Sequence, residues 1–95
     1  MHILMVLATE DLHGYGIKRA VETTTEGALR LGPGTLYEAI HRMASDQWIE
    51  ELDGGGRKRT YRITREGRSV LDDELRRLER IIIQARGSDL LPRVT

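Results

Sequence analysis

Three adjacent bases, Arg57, Lys58 and Arg59, follow three adjacent glycines, Gly54 to Gly56, and a cluster of polar groups, Thr35, Tyr37, Glu38, His41 and Arg42, lies upstream of them. The bases can neutralise phosphates. In the upstream cluster, Arg42 can pair with guanine and Glu38 can accept from cytosine. Such groups act only if two elements hold them side by side. Pro33 supplies the start of the first element, because proline at the first helical position loses no needed hydrogen bond and already has a helical φ. Leu36, Ala39, Ile40 and Met43 then recur at spacings of three and four, which predicts an amphipathic helix with Thr35, Glu38, His41, Arg42 and Ser45 turned away from the core. The second element is a cationic hairpin tip between two short strand-like runs. A short helix with a polar face beside a basic hairpin is what a duplex-binding winged helix-turn-helix needs, one for the major groove and one for flanking phosphates.

Length and charge set bounds on this reading. The chain has 95 residues, 15 bases, 15 acids and no cysteine. One domain is expected, and a domain of this size buries only roughly 60–65% of its unfolded surface, so association would add stability. Without cysteine there is no disulfide framework and no cysteine-based zinc site, and a reducing, cytoplasmic setting is expected. The apolar run Ile3–Ala8 is too short for a membrane span or a signal-peptide core. Net charge is zero, but residues 1–53 carry four bases and nine acids, residues 54–65 five bases and no acid, and residues 66–95 six of each. Screening confines a local patch to about 8–10 Å, so these bases can hold phosphates in a neutral chain. The same run also fits a merely solvated hairpin face.

Punctuation organises the remainder. Ile3–Ala8 is predicted helical, and Leu12, His13 and Gly14 are read as a turn. A second helix is expected from about Tyr15 to Thr25, burying Ile17, Ala20 and Val21 and ending at Gly27. Leu29 and Leu31 alternate with Arg30, which suggests a brief strand before the third helix at Pro33–Asp46. Strands at Trp48–Leu52 and Thr60–Ile63 complete the hairpin, with Tyr61 and Ile63 on one face. A last helix opens with Thr64 as N-cap and Glu66 in its first turn and stops near Gly87. Along it Leu71, Leu75, Leu78, Ile82 and Ala85 form a heptad seam, widened by Ile81 and Ile83. That surplus of apolar surface favours a second copy of the chain, although a helix folded back on its own domain would use the same seam.

Together HGYGI at His13–Ile17, GPGTLYEAIHRM at Gly32–Met43, WIEE from Trp48, the basic tip and YRITREGR at Tyr61–Arg68 resemble the PadR family of bacterial transcriptional regulators. The likeness spans nearly the whole chain. It implies a mainly α fold with a small β-hairpin, in which residues 1–64 form a winged helix-turn-helix DNA-binding domain and residues 65–95 a C-terminal dimerisation helix and short tail. It also implies a homodimer that represses by binding an inverted-repeat operator on double-stranded DNA, with a small-molecule effector as a further partner. Thr35 and Tyr37 match positions that in the family reach the DNA backbone, and Arg57, Lys58 and Arg59 match the wing. Gly32 stands where the family commonly has serine or threonine, so one hydroxyl that touches phosphate is missing. Met1 falls inside the region of the family's first helix, which reduces the N-terminal share expected in the dimer.

An enzyme finds little support. His2, His13 and His41 are scattered without a carboxylate or histidine pair at metal-ligand spacing, and Gly14 and Gly16 lack the strand and third glycine of a phosphate loop. No cofactor or metal is expected. The competing reading is a winged-helix module that binds a protein instead of DNA, for which exposed aromatic or aliphatic anchors would be the sign. Residues 65–95 contain no aromatic residue. Trp48 either packs beneath the wing or faces a pocket between subunits, and packing is the expected role.

Overall fold

The computed structural model describes residues 1–52 and 59–88. Its elements run α1 (His2–Thr9), β1 (Leu12–His13), α2 (Gly14–Thr24), α3 (Pro33–Ser45), β2 (Ile49–Leu52), β3 (Thr60–Ile63) and α4 (Arg65–Gly87). The three strands form one antiparallel sheet in the order β1-β3-β2. Leu12 and His13 are therefore not a simple turn. Leu12 lies opposite Tyr61 and His13 opposite Thr60, so the hairpin gains a third strand. A two-residue strand has no periodicity to reveal it in sequence; it exists because β3 offers an open edge. The strand expected at Leu29–Leu31 does not form, and that segment is held instead by Thr25, whose hydroxyl donates to the Val21 carbonyl at 2.8 Å and accepts from the Leu29 amide at 3.1 Å.

Helix α1 sits at the centre. Four of its eight residues, Ile3, Leu4, Val6 and Leu7, are buried against α2, β3 and α4. Ile17 and Val21 of α2, Leu36 and Ile40 of α3, Ile49 of β2, Tyr61 and Ile63 of β3 and Leu71 of α4 complete the core. Each contributes about 1.5–3 kcal/mol of transfer free energy relative to exposure, which the ordering of the chain largely offsets. Trp48 is partly buried and packs against this core, one residue before β2 begins. Leu71 belongs to it as well, so the first two turns of α4 are tied to the rest of the fold.

Local backbone chemistry sets the helix ends. The chain leaves α2 with Glu26 at φ 53° and Gly27 at φ 81°, and the Gly27 amide donates back to Glu22 at 2.8 Å. Gln47, at φ 65°, takes the left-handed position after α3, and the Trp48 amide returns to Met43 at 2.9 Å. At the start of α4 the Thr64 hydroxyl accepts from the Gly67 amide at 3.0 Å and donates to the Gln47 carbonyl at 2.6 Å. One side chain thus caps α4 and holds it to the end of α3.

Gly67 shows how close that junction is. A Cβ there would lie 2.0 Å from the Trp48 carbonyl oxygen, a backbone atom that cannot move aside, whereas a Cβ at Gly34 would meet nothing within 4 Å. Gly67→Ala is therefore expected to lose about 3 kcal/mol or more. Gly34→Ala, at a helical position, should leave the thermal midpoint unchanged or raise it. Thermal unfolding of both variants checks the contrast.

Candidate nucleic-acid interface

The helix-turn-helix pair is α2 and α3, and α3 carries the polar groups singled out from the sequence. Thr35, Tyr37, Glu38, His41 and Arg42 are all exposed. Leu36 and Ile40, on the opposite side, are buried and fix the helix against the core. With 100° per residue, Tyr37 and His41 lie on one edge of the exposed face, Glu38 at its middle, and Thr35 and Arg42 on the other edge. Gly32 precedes α3 as N-cap with no side-chain hydrogen bond, and Pro33 occupies the first turn. The amides at that end are left to outside acceptors.

Tyr37 and His41 turn toward the sheet. Together with Ile40, Ala44, Glu51, Arg59 and Tyr61 they line an open groove of about 240 Å³ between α3 and the β2–β3 hairpin. The register explains the membership. Glu51 lies opposite Tyr61 on the sheet face that also carries Ile49 and Ile63, and Arg59 continues that face by the two-residue period. Where the core ends, this face becomes polar. The Arg59 Nε is 3.5 Å from the Glu51 carboxylate. Tyr61, 7% exposed, is the buried floor. Burial pushes its phenol above the ordinary value of 10.0; Glu51 and, more weakly, Tyr37 add to this, while Arg59 opposes it.

Tyr37 is 57% exposed. Its ring lies over the start of α2, since a Cβ on Gly14 would come within 3.3 Å of the Tyr37 hydroxyl. Gly14 thus lies in contact range of the Tyr37 ring tip. His13 packs beside Gly16, whose Cβ would be 2.9 Å from the imidazole Nδ1, and its ring is tilted against Tyr15 with centroids 6.5 Å apart. Tyr15, at the first turn of α2, is 60% exposed. In sequence it is an aromatic residue off the apolar period of its helix.

The basic run is more internally compensated than its composition suggests. Arg59 faces Glu51, and Arg62, on the opposite face of the sheet, is 3.3 Å from Asp11. Both pairs are exposed and add little stability, under about 1 kcal/mol each. Arg57, Lys58 and the glycine tip lie outside the described residues. Among the described residues no group of three His, Asp or Glu side chains converges as metal ligands do, and no helix is long and apolar enough to cross a membrane.

Residues 3–73 match the transcriptional regulator PadR-like family. The chain belongs to the PadR family. Over 90 residues it is 32% identical to the transcriptional regulator Rv3488 of Mycobacterium tuberculosis, covering 92% of this chain and 81% of that protein. An uncharacterised 37.1 kDa protein of transposon TN4556 from Streptomyces fradiae is 38% identical over 81 residues, 85% of this chain, which spans 23% of that longer protein. A transcriptional regulator structure from Clostridium thermocellum superposes with a TM-score of 0.78 at 28% identity, covering 90% of this chain and 84% of the other. Bacillus subtilis PadR, solved in complex with operator DNA, shares the fold at a TM-score of 0.67 and 22% identity over 78% of this chain and 44% of its own. PadR proteins are transcriptional regulators, and the four helices and three-stranded sheet of this one are the family's winged helix.

The raised Tyr61 pKa gives this PadR-family chain an alkaline limit. The native state disfavours the phenolate, so the group's contribution to stability is complete below pH 10 and is lost as pH rises through the raised value. Denaturant unfolding between about pH 8.5 and 11 should show that decline, and Tyr61→Phe should flatten it.

Proposed function

We propose that the chain is a homodimeric repressor that reads an inverted-repeat operator through α3 and grips the flanking phosphates through the β2–β3 wing. The observation that carries this reading is the groove that sets one edge of the exposed face of α3, Tyr37 and His41, beside Arg59 at the base of the wing. In the major groove, Glu38, His41 and Arg42 would face base edges, with Arg42 suited to guanine and Glu38 to cytosine. Thr35 and Tyr37 would donate hydroxyls to phosphate oxygens beside the amides at the start of α3. Arg57, Lys58 and Arg59 would serve the wing. The relative from Bacillus subtilis, solved on operator DNA, supports this use of the shared fold.

Dimerisation is proposed through α4. Its 23 residues span about 35 Å, beyond the reach of the core that holds Gly67 and Leu71. Past that point Leu75 is 40% and Ile82 41% exposed, with Leu78 and Ala85 half-buried on the same side and Ile81 46% exposed beside them. A two-fold partner would cover this stripe. On this reading residues 1–64 read DNA and residues 65–95 join the subunits, with α4 rooted in the reading domain by its first turns. The effector that the family resemblance implies would have to bind α4 without aromatic stacking, since residues 65–95 contain no aromatic side chain.

Selection of bound sequences from a random duplex pool is the direct test. An inverted repeat with half-site centres near ten base pairs, about 34–36 Å, is expected; a folded protein that enriches nothing would overturn the reading. Alanine at Arg57, Lys58 and Arg59 should flatten the salt slope of binding by up to about one per lost phosphate contact. In sedimentation, Leu75→Glu with Ile82→Glu should convert a dimer into a folded monomer, and a wild-type chain that is monomeric at micromolar concentration would contradict the α4 interface.

A further inference from the structure

Glu51 is an acid in a place that phosphate binding alone gives no reason to keep acidic. It lies in the groove between α3 and the wing, its carboxylate 3.5 Å from the Arg59 guanidinium, on the same sheet face as the buried Tyr61. Both partners are largely exposed, with side-chain exposures of 48% and 71%. The pair is therefore not a device for stability. Its effect is on direction. The Nε of Arg59 faces the Glu51 carboxylate, and the donors at the other end of the planar guanidinium remain free to meet an acceptor.

We propose that Glu51 is a specificity-determining residue of the DNA-reading surface, acting as a positioning residue for Arg59. Paired with Glu51, Arg59 meets a phosphate best when the duplex lies in the register that α3 selects. Complexes with other sequences have no fixed register and depend on phosphate contacts that follow the backbone wherever it falls. An arginine already paired with Glu51 serves those complexes poorly, because each phosphate it meets out of place must displace the carboxylate. The charge thus weakens indiscriminate binding more than operator binding.

This inference rests on the DNA-reading function proposed above, and its test separates the two. Glu51→Gln keeps the side-chain size and an acceptor oxygen while removing the charge that holds the guanidinium. Full-length wild type and variant are titrated against the selected inverted-repeat duplex and a scrambled duplex of equal length and composition. For the variant, affinity for the scrambled duplex should rise about three- to tenfold while operator affinity changes less than about twofold, so the specificity ratio falls. In an Arg59→Ala background the same substitution should leave that ratio within about twofold. An unchanged ratio in a Glu51→Gln protein with wild-type thermal midpoint would overturn the proposal and leave operator binding standing; a full effect without Arg59 would also overturn it. A wild-type chain with no preference between the duplexes would overturn both.

Discussion

The geometry of this protein depends on a backbone crossing at Gly67, where α4 passes the Trp48 carbonyl at a distance that admits no side chain. Thr64 secures the crossing from both sides, capping α4 through the Gly67 amide and donating to the Gln47 carbonyl that follows α3. The Thr64 amide itself donates to Trp48 at 2.9 Å. Three backbone segments, the end of α3, the start of β2 and the start of α4, are thereby fixed in one small volume. The orientation of the polar face of α3 relative to the long arm follows from that junction. In a two-fold dimer the same angle would set the separation of two reading helices, so a packing constraint far from any base would govern which spacing of half-sites fits.

Electrostatics in this fold are local. A chain with zero net charge reads as indifferent to polyanions, yet five of its 15 bases fall within residues 54–65 with no acid among them, and two of these are matched to particular carboxylates, Arg59 to Glu51 and Arg62 to Asp11. The two pairs lie on opposite faces of the sheet, because the strand period alternates Tyr61 inward and Arg62 outward. Arg62 is thus joined to the α1–β1 connection, while Arg59 belongs to the groove beside α3. A basic stretch that looks uniform along the sequence is divided by the sheet between its two faces.

Several features were legible because they are short-range. Pro33 at the start of α3, the buried period of Leu36 and Ile40, the Thr64 cap and the left-handed Gly27 each depend on a few neighbouring residues, and the structure has all of them. The residues HGYGI, PGTLY and YRITREGR were enough to indicate the PadR winged helix, to which residues 3–73 belong. What was missed depended on distant parts of the chain. β1 forms only because β3 lies beside it, 48 or so residues later in sequence, and Leu29–Leu31 stays irregular because Thr25 takes up its backbone amide. Gly14, read as part of a turn, opens α2 and lies beneath the Tyr37 ring.

By itself the sequence determined the helix boundaries, the amphipathic faces and the concentration of bases after the glycines, since these follow from propensity, period and charge along the chain. Only the tertiary structure decided which polar groups meet. It brought Glu51, Arg59, Tyr61, Tyr37 and His41 to one groove, placed Leu71 in the core while leaving Leu75 and Ile82 uncovered, and required glycine at position 67. The reason is physical: a side chain's direction is set by local backbone geometry, whereas its neighbours are set by how separate elements pack, and that depends on contacts between residues far apart in the chain.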